Sequence, residues 1–438
     1  MLVIRRTSRA RTTAISTLVS AAVALPVSLV LAAPAQAATP PDGVNVSETR
    51  IWKMLNSRDG DSRLRWTYSG RVMDATDGQY IYSKNATASM KSASTMKAVT
   101  SAIALRLYGK THTFPTIVRQ GSRGLEVVLV AGGDPLLTRS SLRYLAGLTA
   151  KKLAAAVPES YRYQTITYSV RADDSLFGDA TRGPAWGGTT YNRTRAFLLD
   201  RQRTDDSTRD SGRSFAVSLD YALDSALRSR GIRAKVVYDG RKKAPEGAAM
   251  LGYYGGHSLG ESIRTAIMWS DTNITEMLHR HIALAMGKPA TRAGGIAAEV
   301  AVLEDLGVDL TNVSFADGSG LSPYNRVTAK MLVEVMQAAQ RPTEKRMNSL
   351  RGLLMIAGRT GTLSTRFGRF DTAASRCAIG YAWAKSGTIG GVITLTGYAK
   401  AKDGRLKAFA FLVNNTAAGS STTRDALDGL VATVVGCR

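Results

Sequence analysis

One tetrad, Ser94-Thr95-Met96-Lys97, constrains this chain most, because it lies where a strand-like pattern hands over to a helical one. Strand-like runs over 64–73 and 79–83 flank the turn-forming Asp74-Ala75-Thr76-Asp77-Gly78, so a hairpin is expected there. Downstream, Ala98, Val99, Ala102, Ile103 and Leu105 recur at helical spacing, and the helix they predict opens at Ser94. Residues three apart on a helix share a face. Lys97 is the only lysine of the chain with a serine three residues before it. Burial of that helix would desolvate its ammonium, lower its pKa and let it act as base for the Ser94 hydroxyl. Alone, the tetrad is a common accident of sequence, so its meaning depends on what else the chain supplies.

Residues 1–37 read as an export leader. Arg5, Arg6, Arg9 and Arg11 precede an apolar run over 14–33, and Ala35-Gln36-Ala37 is a small-x-small cleavage pattern, so the mature chain is expected to begin at Ala38. The competing reading is a retained anchor, against which Pro26 and the cleavage pattern weigh. The formal charge is +24, of which the leader's arginines supply four. Such an excess on an exported protein favours polyanions, here anionic wall polymers or a membrane surface, or else serves solubility alone. Nucleic acid is not expected, because the leader and the lack of a basic-aromatic stripe argue against it.

Two cysteines, Cys377 and Cys437, in an oxidising compartment point to one disulfide, with two buried thiols as the alternative. No metal or cofactor is expected. The four histidines are scattered, and His279 and His281 would point to different faces of a helix. There is no Gly-x-Ser-x-Gly elbow and no phosphate loop, which leaves lysine as the leading base.

The mature chain is long enough for two domains. Residues 38–110 carry a helix over 45–56, the hairpin and the Ser94 helix. Residues 111–255 change texture, with short β-rich runs such as 125–130 and 164–168 and a charged loop over 205–213, and read as an inserted domain. Residues 256–438 return to helical periodicity over 258–269, 274–286, 290–306, 328–339 and 348–356. Strand-like runs over 378–385, 391–400 and 406–414 follow, with Asp403-Gly404 as a hairpin turn, and a last helix covers 422–435.

Two further stretches complete a set of parts for nucleophilic acyl transfer. The helical pattern breaks at Ser270-Asp271-Thr272-Asn273, where a second hydroxyl and an amide could relay a proton and hold a substrate amide. Asn273 with Glu276 also reads as a capping box that needs no chemistry. Lys385-Ser386-Gly387-Thr388 lies at a strand edge. Its lysine could attract a carboxylate, Gly387 would allow close approach, and the N–H groups of Thr388 and Ser94 could form an oxyanion hole. Arg359-Thr360-Gly361-Thr362 has nearly the same chemistry, but no strand pattern leads into it.

In this order the three elements resemble the Ser-x-x-Lys, Ser-x-Asn and Lys-Thr-Gly signature of penicillin-recognising serine enzymes. The finer resemblance is to class C low-molecular-mass penicillin-binding proteins, the D-alanyl-D-alanine carboxypeptidase/endopeptidase family. It is carried by Ala93-Ser94-Thr95-Met96-Lys97, Gly132-Gly133-Asp134-Pro135-Leu136, Asp173-Asp174-Ser175-Leu176-Phe177 with Trp186, and residues 317–322 with Asn325-Arg326. Gly361-Thr362-Leu363 with Arg366-Phe367 and Leu395-Thr396-Gly397-Tyr398 add to it. Two departures stand out. Ser386 replaces a threonine, and alignment on Ser270 and Glu276 puts Thr272 where the pattern has Asn, with Asn273 one residue late.

The resemblance implies an α+β fold: a transpeptidase/β-lactamase-like domain with a five-stranded antiparallel sheet flanked by helices, and a large β-rich insertion domain. The sheet would take its first two strands from 64–83 and its last three from 378–414. The implied activity is that of an exported D-Ala-D-Ala carboxypeptidase, or also an endopeptidase, on peptidoglycan stem peptides, with β-lactams as covalent inhibitors. Ser94 would be the nucleophile, Lys97 its base and Ser270 a proton relay. Lys385, Ser386 and Thr388 would hold the terminal carboxylate, and Arg326 would contact the substrate side chain. The alternatives are a non-catalytic peptidoglycan-binding protein with a weakened second motif, which Thr272 keeps open, and a β-lactamase, for which no deacylating Glu is identifiable.

Overall fold

The computed structural model describes residues 39–437 apart from 59, 65–66, 179–180, 187–192, 201–210 and 417–419. The expected leader and its cleavage site therefore lie outside the described residues, as does 205–210 of the expected charged loop. In chain order, α1 (Val46–Ser57) precedes β1 (Thr67–Asp74), β2 (Tyr80–Lys84) and α2 (Met96–Tyr108). Then come β3 (Thr116–Gln120), β4 (Glu126–Val130), α3 (Arg139–Ala156), β5 (Ile166–Asp173), α4 (Ser211–Arg228), β6 (Ala234–Arg241) and β7 (Met250–Tyr254). Next are α5 (Leu259–Trp269), α6 (Thr272–Ala285), α7 (Arg292–Asp305), α8 (Ala329–Ala338), α9 (Leu350–Leu353) and β8 (Met355–Ile356). The chain closes with β9 (Ala382–Ile389), β10 (Val392–Lys400), β11 (Leu406–Asn414) and α10 (Ser421–Val435).

Opposite ends of the chain meet in one antiparallel sheet of order β2-β1-β11-β10-β9-β8. β1 pairs with β11 from Thr67↔Asn414 to Asp74↔Lys407, which joins the early hairpin to the late strands. The five long strands are those expected. The sixth, β8, comes from a stretch whose apolar spacing predicts helix over 348–356. Only Leu350–Leu353 is α-helical there, and Met355 and Ile356 pair with Ala384 and Trp383 of β9. Short apolar runs fit either period, and the strand edge decides between them. Nearly every residue of β10 and β11 is buried, irrespective of parity, so both sheet faces are covered. α8 packs on β1, β10 and β11, and α10 on β10 and β11. Lys407, wholly buried in β11, is held by Glu48 of α1 at 2.6 Å and Asp74 of β1 at 2.8 Å. A lysine at that depth is tolerable only with such partners.

The second sheet has the order β6-β5-β4-β3-β7 and is built wholly from residues 116–254. β4, β5 and β6 run parallel, whereas β3 is antiparallel to both neighbours. Parallel neighbours need crossovers. These are α3 and α4, two 18-residue helices that strand-like runs alone do not announce. Of the expected loop over 205–213, residues 211–213 instead open α4. Among the described residues no helix is long and apolar enough to cross a membrane.

Candidate active site

Ser94 lies in a strained turn pressed against the main sheet. Residues Ala93–Thr95 form a 3-10 turn, and α2 begins at Met96. Ala93 has φ 43°, a left-handed conformation that costs a non-glycine residue about 1–3 kcal/mol and so needs enforcement from its surroundings. Three contacts enforce it. The Thr394 hydroxyl of β10 donates to the Ser92 carbonyl at 2.9 Å, and the Lys91 N–H donates to Asn414 Oδ1 of β11 at 2.8 Å. The third is close packing at Gly387 of β9, where a Cβ would stand 2.9 Å from both the Ala93 Cβ and the Ser94 nitrogen. Ser94 keeps partial exposure while its neighbours from Ser92 to Thr100 are buried.

Lys97 lies beneath Ser94 with no solvent exposure. Its Nζ is 3.2 Å from Ser94 Oγ, 3.3 Å from Thr272 Oγ1 and 2.8 Å from the Ser319 carbonyl. Three acceptors match the three N–H bonds of an ammonium. Burial pushes its pKa down to about 8, against the opposing fields of Asp317, Glu276 and Asp271. A minor neutral fraction is therefore present at pH 7, with its lone pair within reach of the Ser94 proton.

The helix break supplies two of these neighbours. α5 ends at Ser270, itself left-handed at φ 54°. Asp271 then caps α6, accepting from the Ile274 N–H at 3.2 Å. Asn273 is therefore not the cap, and the expected capping box with Glu276 does not form. Buried Glu276 accepts instead from the Ser319 N–H at 2.9 Å. With the helix starting after Asp271, Thr272 meets Lys97, while Asn273 lies about 100° further round the helix. Ser270 lines the cleft in front of Ser94.

β9 forms the opposite wall. β8 pairs with Trp383 and Ala384 only, so among the described residues the outer edge of β9 from Lys385 onward carries no strand. Lys385 is wholly buried, and its Nζ donates to the Ser386 carbonyl at 2.6 Å. Burial, together with Lys97 and Arg369, holds its pKa well below the lysine range. Ser386 Oγ lies 2.8 Å from Thr362 Oγ1, and Thr388 is exposed. The cleft has a volume of about 280 Å³ and is lined by Ser94, Ser270, Lys385, Ser386 and Thr388 together with Thr362, Phe367, Arg369 and Arg424.

These last four were not singled out from sequence as site residues. Thr362 belongs to the stretch set aside for want of a leading strand, yet β8 does lead into it and its hydroxyl meets the third motif. Arg369 is locked to Asp428 of α10 at 2.5 Å. The expectation for Arg326 needs correction: its guanidinium donates to the Pro323 carbonyl at 2.6 Å and the Asn325 carbonyl at 3.0 Å, and it does not line the cleft. Cys377 and Cys437 form a disulfide that ties the segment before β9 to the end of α10.

The arrangement can activate a hydroxyl and accept a substrate strand along β9, with cations at the end of the cleft. The family model described as D-Ala-D-Ala carboxypeptidase 3 (S13) matches residues 52–194 and 208–434. Carboxypeptidase DacB of Mycolicibacterium smegmatis is 31% identical over 379 residues, covering 84% of this chain and 80% of that one. A D-alanyl-D-alanine carboxypeptidase of an Actinomadura species is 26% identical over 475 residues, covering 90% and 86%. Among solved structures, penicillin binding protein 4 (dacB) from Haemophilus influenzae has a TM-score of 0.67 at 20% identity, covering 84% of this chain and 95% of that one.

Proposed function

The chain belongs to the D-Ala-D-Ala carboxypeptidase 3 (S13) family of serine peptidases, and from that premise we propose that it is an exported enzyme removing the terminal D-alanine of peptidoglycan stem peptides. The observation that carries this reading is the fully buried Lys97, its Nζ 3.2 Å from the hydroxyl of a partly exposed serine. Neutral Lys97 takes the proton of Ser94 as Oγ attacks the carbonyl between the two D-alanines. The backbone N–H groups of Ser94 and Thr388 face the oxygen that becomes negative. Ser270 passes a proton to the leaving amine, the C–N bond breaks, and D-alanine departs. Water then cleaves the Ser94 ester.

Lys385, Ser386 and Thr388 face the substrate's terminal carboxylate, and Arg369 and Arg424 add positive charge at that end of the cleft. An edge strand with no strand partner beyond Ala384 among the described residues suits a peptide that adds to it. β-Lactams acylate Ser94 in the same way. Residues 38–110 and 256–438 form the catalytic domain and 111–255 an inserted one, as the second sheet within 116–254 supports. The leader directs the chain to the wall space, where its basic excess draws it to anionic polymers. Cross-link cleavage is the natural second activity of the same acyl chemistry.

The non-catalytic alternative rested on Thr272, but the Thr272 hydroxyl sits within hydrogen-bond reach of Lys97, which favours a working site. Labelled penicillin decides between them: it should mark the wild type at Ser94 and leave Ser94→Ala unmarked. Equal labelling of both would sink the assignment.

A further inference from the structure

The segment holding Pro184 and Trp186, remote in sequence from all three motifs, touches the loop behind the general base. The Trp186 indole N–H donates to Asp317 Oδ2 at 2.8 Å, and Trp186 is 8% exposed. Beside it, the Ser322 hydroxyl donates to the Pro184 carbonyl at 2.7 Å. Asp317 is the knot of the loop over 317–325. Its Oδ1 accepts from the Gly320 N–H at 2.7 Å and the Asn325 side-chain amide at 2.8 Å, and its Oδ2 also accepts from the Ser322 N–H at 2.6 Å. The loop so tied presents the Ser319 carbonyl to Lys97 Nζ at 2.8 Å. Its other side is fixed by Gly320, where a Cβ would fall 1.8 Å from the Ala93 carbonyl oxygen. One loop therefore touches both the nucleophile turn and the base.

We infer that Trp186 is a positioning residue for Lys97: its indole N–H spreads the charge of buried Asp317 and holds the loop whose Ser319 carbonyl orients the ammonium. The inference rests on the reading of Lys97 as base. It gives the residue 111–255 segment a part in the chemistry, through a hydrogen bond rather than through substrate contact. Lys97 is faced by Asp317 from the loop, by Glu276 of α6 and Asp271 at its cap, and by Lys385 of β9. Glu276 in turn feels His279 and Arg280 of α6, and Lys385 feels Arg369. Among the acids, Asp317 exerts the largest field on Lys97. An N–H donated to a buried carboxylate disperses its charge. Without it, Asp317 still ties Gly320, Ser322 and Asn325, so the Ser319 carbonyl stays on Lys97 while the less dispersed charge strengthens the field there and the ammonium holds its proton to higher pH.

The test is the pH dependence of Ser94 acylation by a chromogenic β-lactam in Trp186→Phe, with intact-protein mass spectrometry and thermal unfolding alongside. The inflection should move to higher pH by about one unit, with acylation at pH 7 about ten-fold slower. Ser322→Ala removes the tie to Pro184 and a longer bond from the Tyr324 N–H at 3.3 Å but leaves every partner of Asp317 in place, so it should keep the wild-type inflection. Trp186→Leu, also without a donor, carries the same expectation if Trp186→Phe proves too unstable to assay. Wild-type profiles in the Trp186 variants, a shift to lower pH, or an equal slowing at every pH would overturn the inference and leave the function standing. A wild type not acylated at Ser94 would remove the function itself and this inference with it.

Discussion

The Thr272 hydroxyl lies 3.3 Å from the Lys97 ammonium, at the position where alignment of the second motif expects an amide. A side chain one atom shorter reaches because Asp271 caps α6 and makes Thr272 its first residue. Thr272→Val, nearly the same shape, removes that acceptor. It should cost about 1–3 kcal/mol of stability, read by denaturant unfolding, since a buried donor loses its partner. Its acylation profile should move to lower pH, because the ammonium is less well held. Wild type and Thr272→Asn should both release D-alanine from a pentapeptide ending in D-Ala-D-Ala. Release by the variant alone would revive the non-catalytic reading.

Lys97 sets a pH dependence of known sign. Its pKa in the folded protein is about 8, below the 10.5 of a free lysine. Acylation should therefore rise as pH passes through about 8 and then level. Between those two values the unfolded chain binds the proton that the folded chain releases, so this group makes stability grow with pH over that window. Lys97→Arg keeps the charge and cannot deprotonate at these pH values, so acylation should fall by about 10²-fold or more in stopped-flow measurements.

Gly387 is required by space. A Cβ there would meet Thr394 Oγ1 at 2.2 Å and the Ser94 nitrogen at 2.9 Å. Gly387→Ala should push β9 away from the Ser94 turn and slow acylation by about 10²-fold, as a displacement of about 1 Å would. The folding cost should be about 1–3 kcal/mol, typical of overpacking. Full acylation with unchanged rate would contradict the packing described.

The disulfide spans 60 residues and lies away from the cleft lining. Replacing Cys377 and Cys437 by alanine should cost about 2–4 kcal/mol in denaturant unfolding, because the unfolded chain regains loop freedom. Acylation of the folded fraction should keep the wild-type rate.

Much of the fold is legible in residue order, because the motifs coincide with changes of period. Ala98 to Leu105 mark α2, and Asp403-Gly404 separates β10 from β11. Helices α3 and α4 are not legible among β-rich runs and polar loops. The short segment at 355–356 reads as the end of a helix because two apolar residues carry no period of their own, and pairing with Trp383 and Ala384 makes them a strand. The resemblance implies a substrate contact for Arg326, but local carbonyls take its guanidinium. Thr362 lies in a stretch that resembles the family without an assigned role, and Arg424 lies in a helix with no motif, so only folding assigns both to the cleft.

By itself the sequence determined the parts and their chemistry: a serine and lysine three apart on a helix, a helix break with hydroxyls, and a lysine on a late strand. Those follow from local periodicity and residue type. Only the tertiary structure decided their partners. Thr272 rather than Asn273 faces Lys97, because the helix start sets which side chain points inward. Ser319, 222 residues from Lys97, supplies a carbonyl to it, and Trp186 steadies the loop that does so. Such contacts depend on which surfaces pack together, and the pKa of a buried lysine depends on the whole ring of charges and on the water that packing removes.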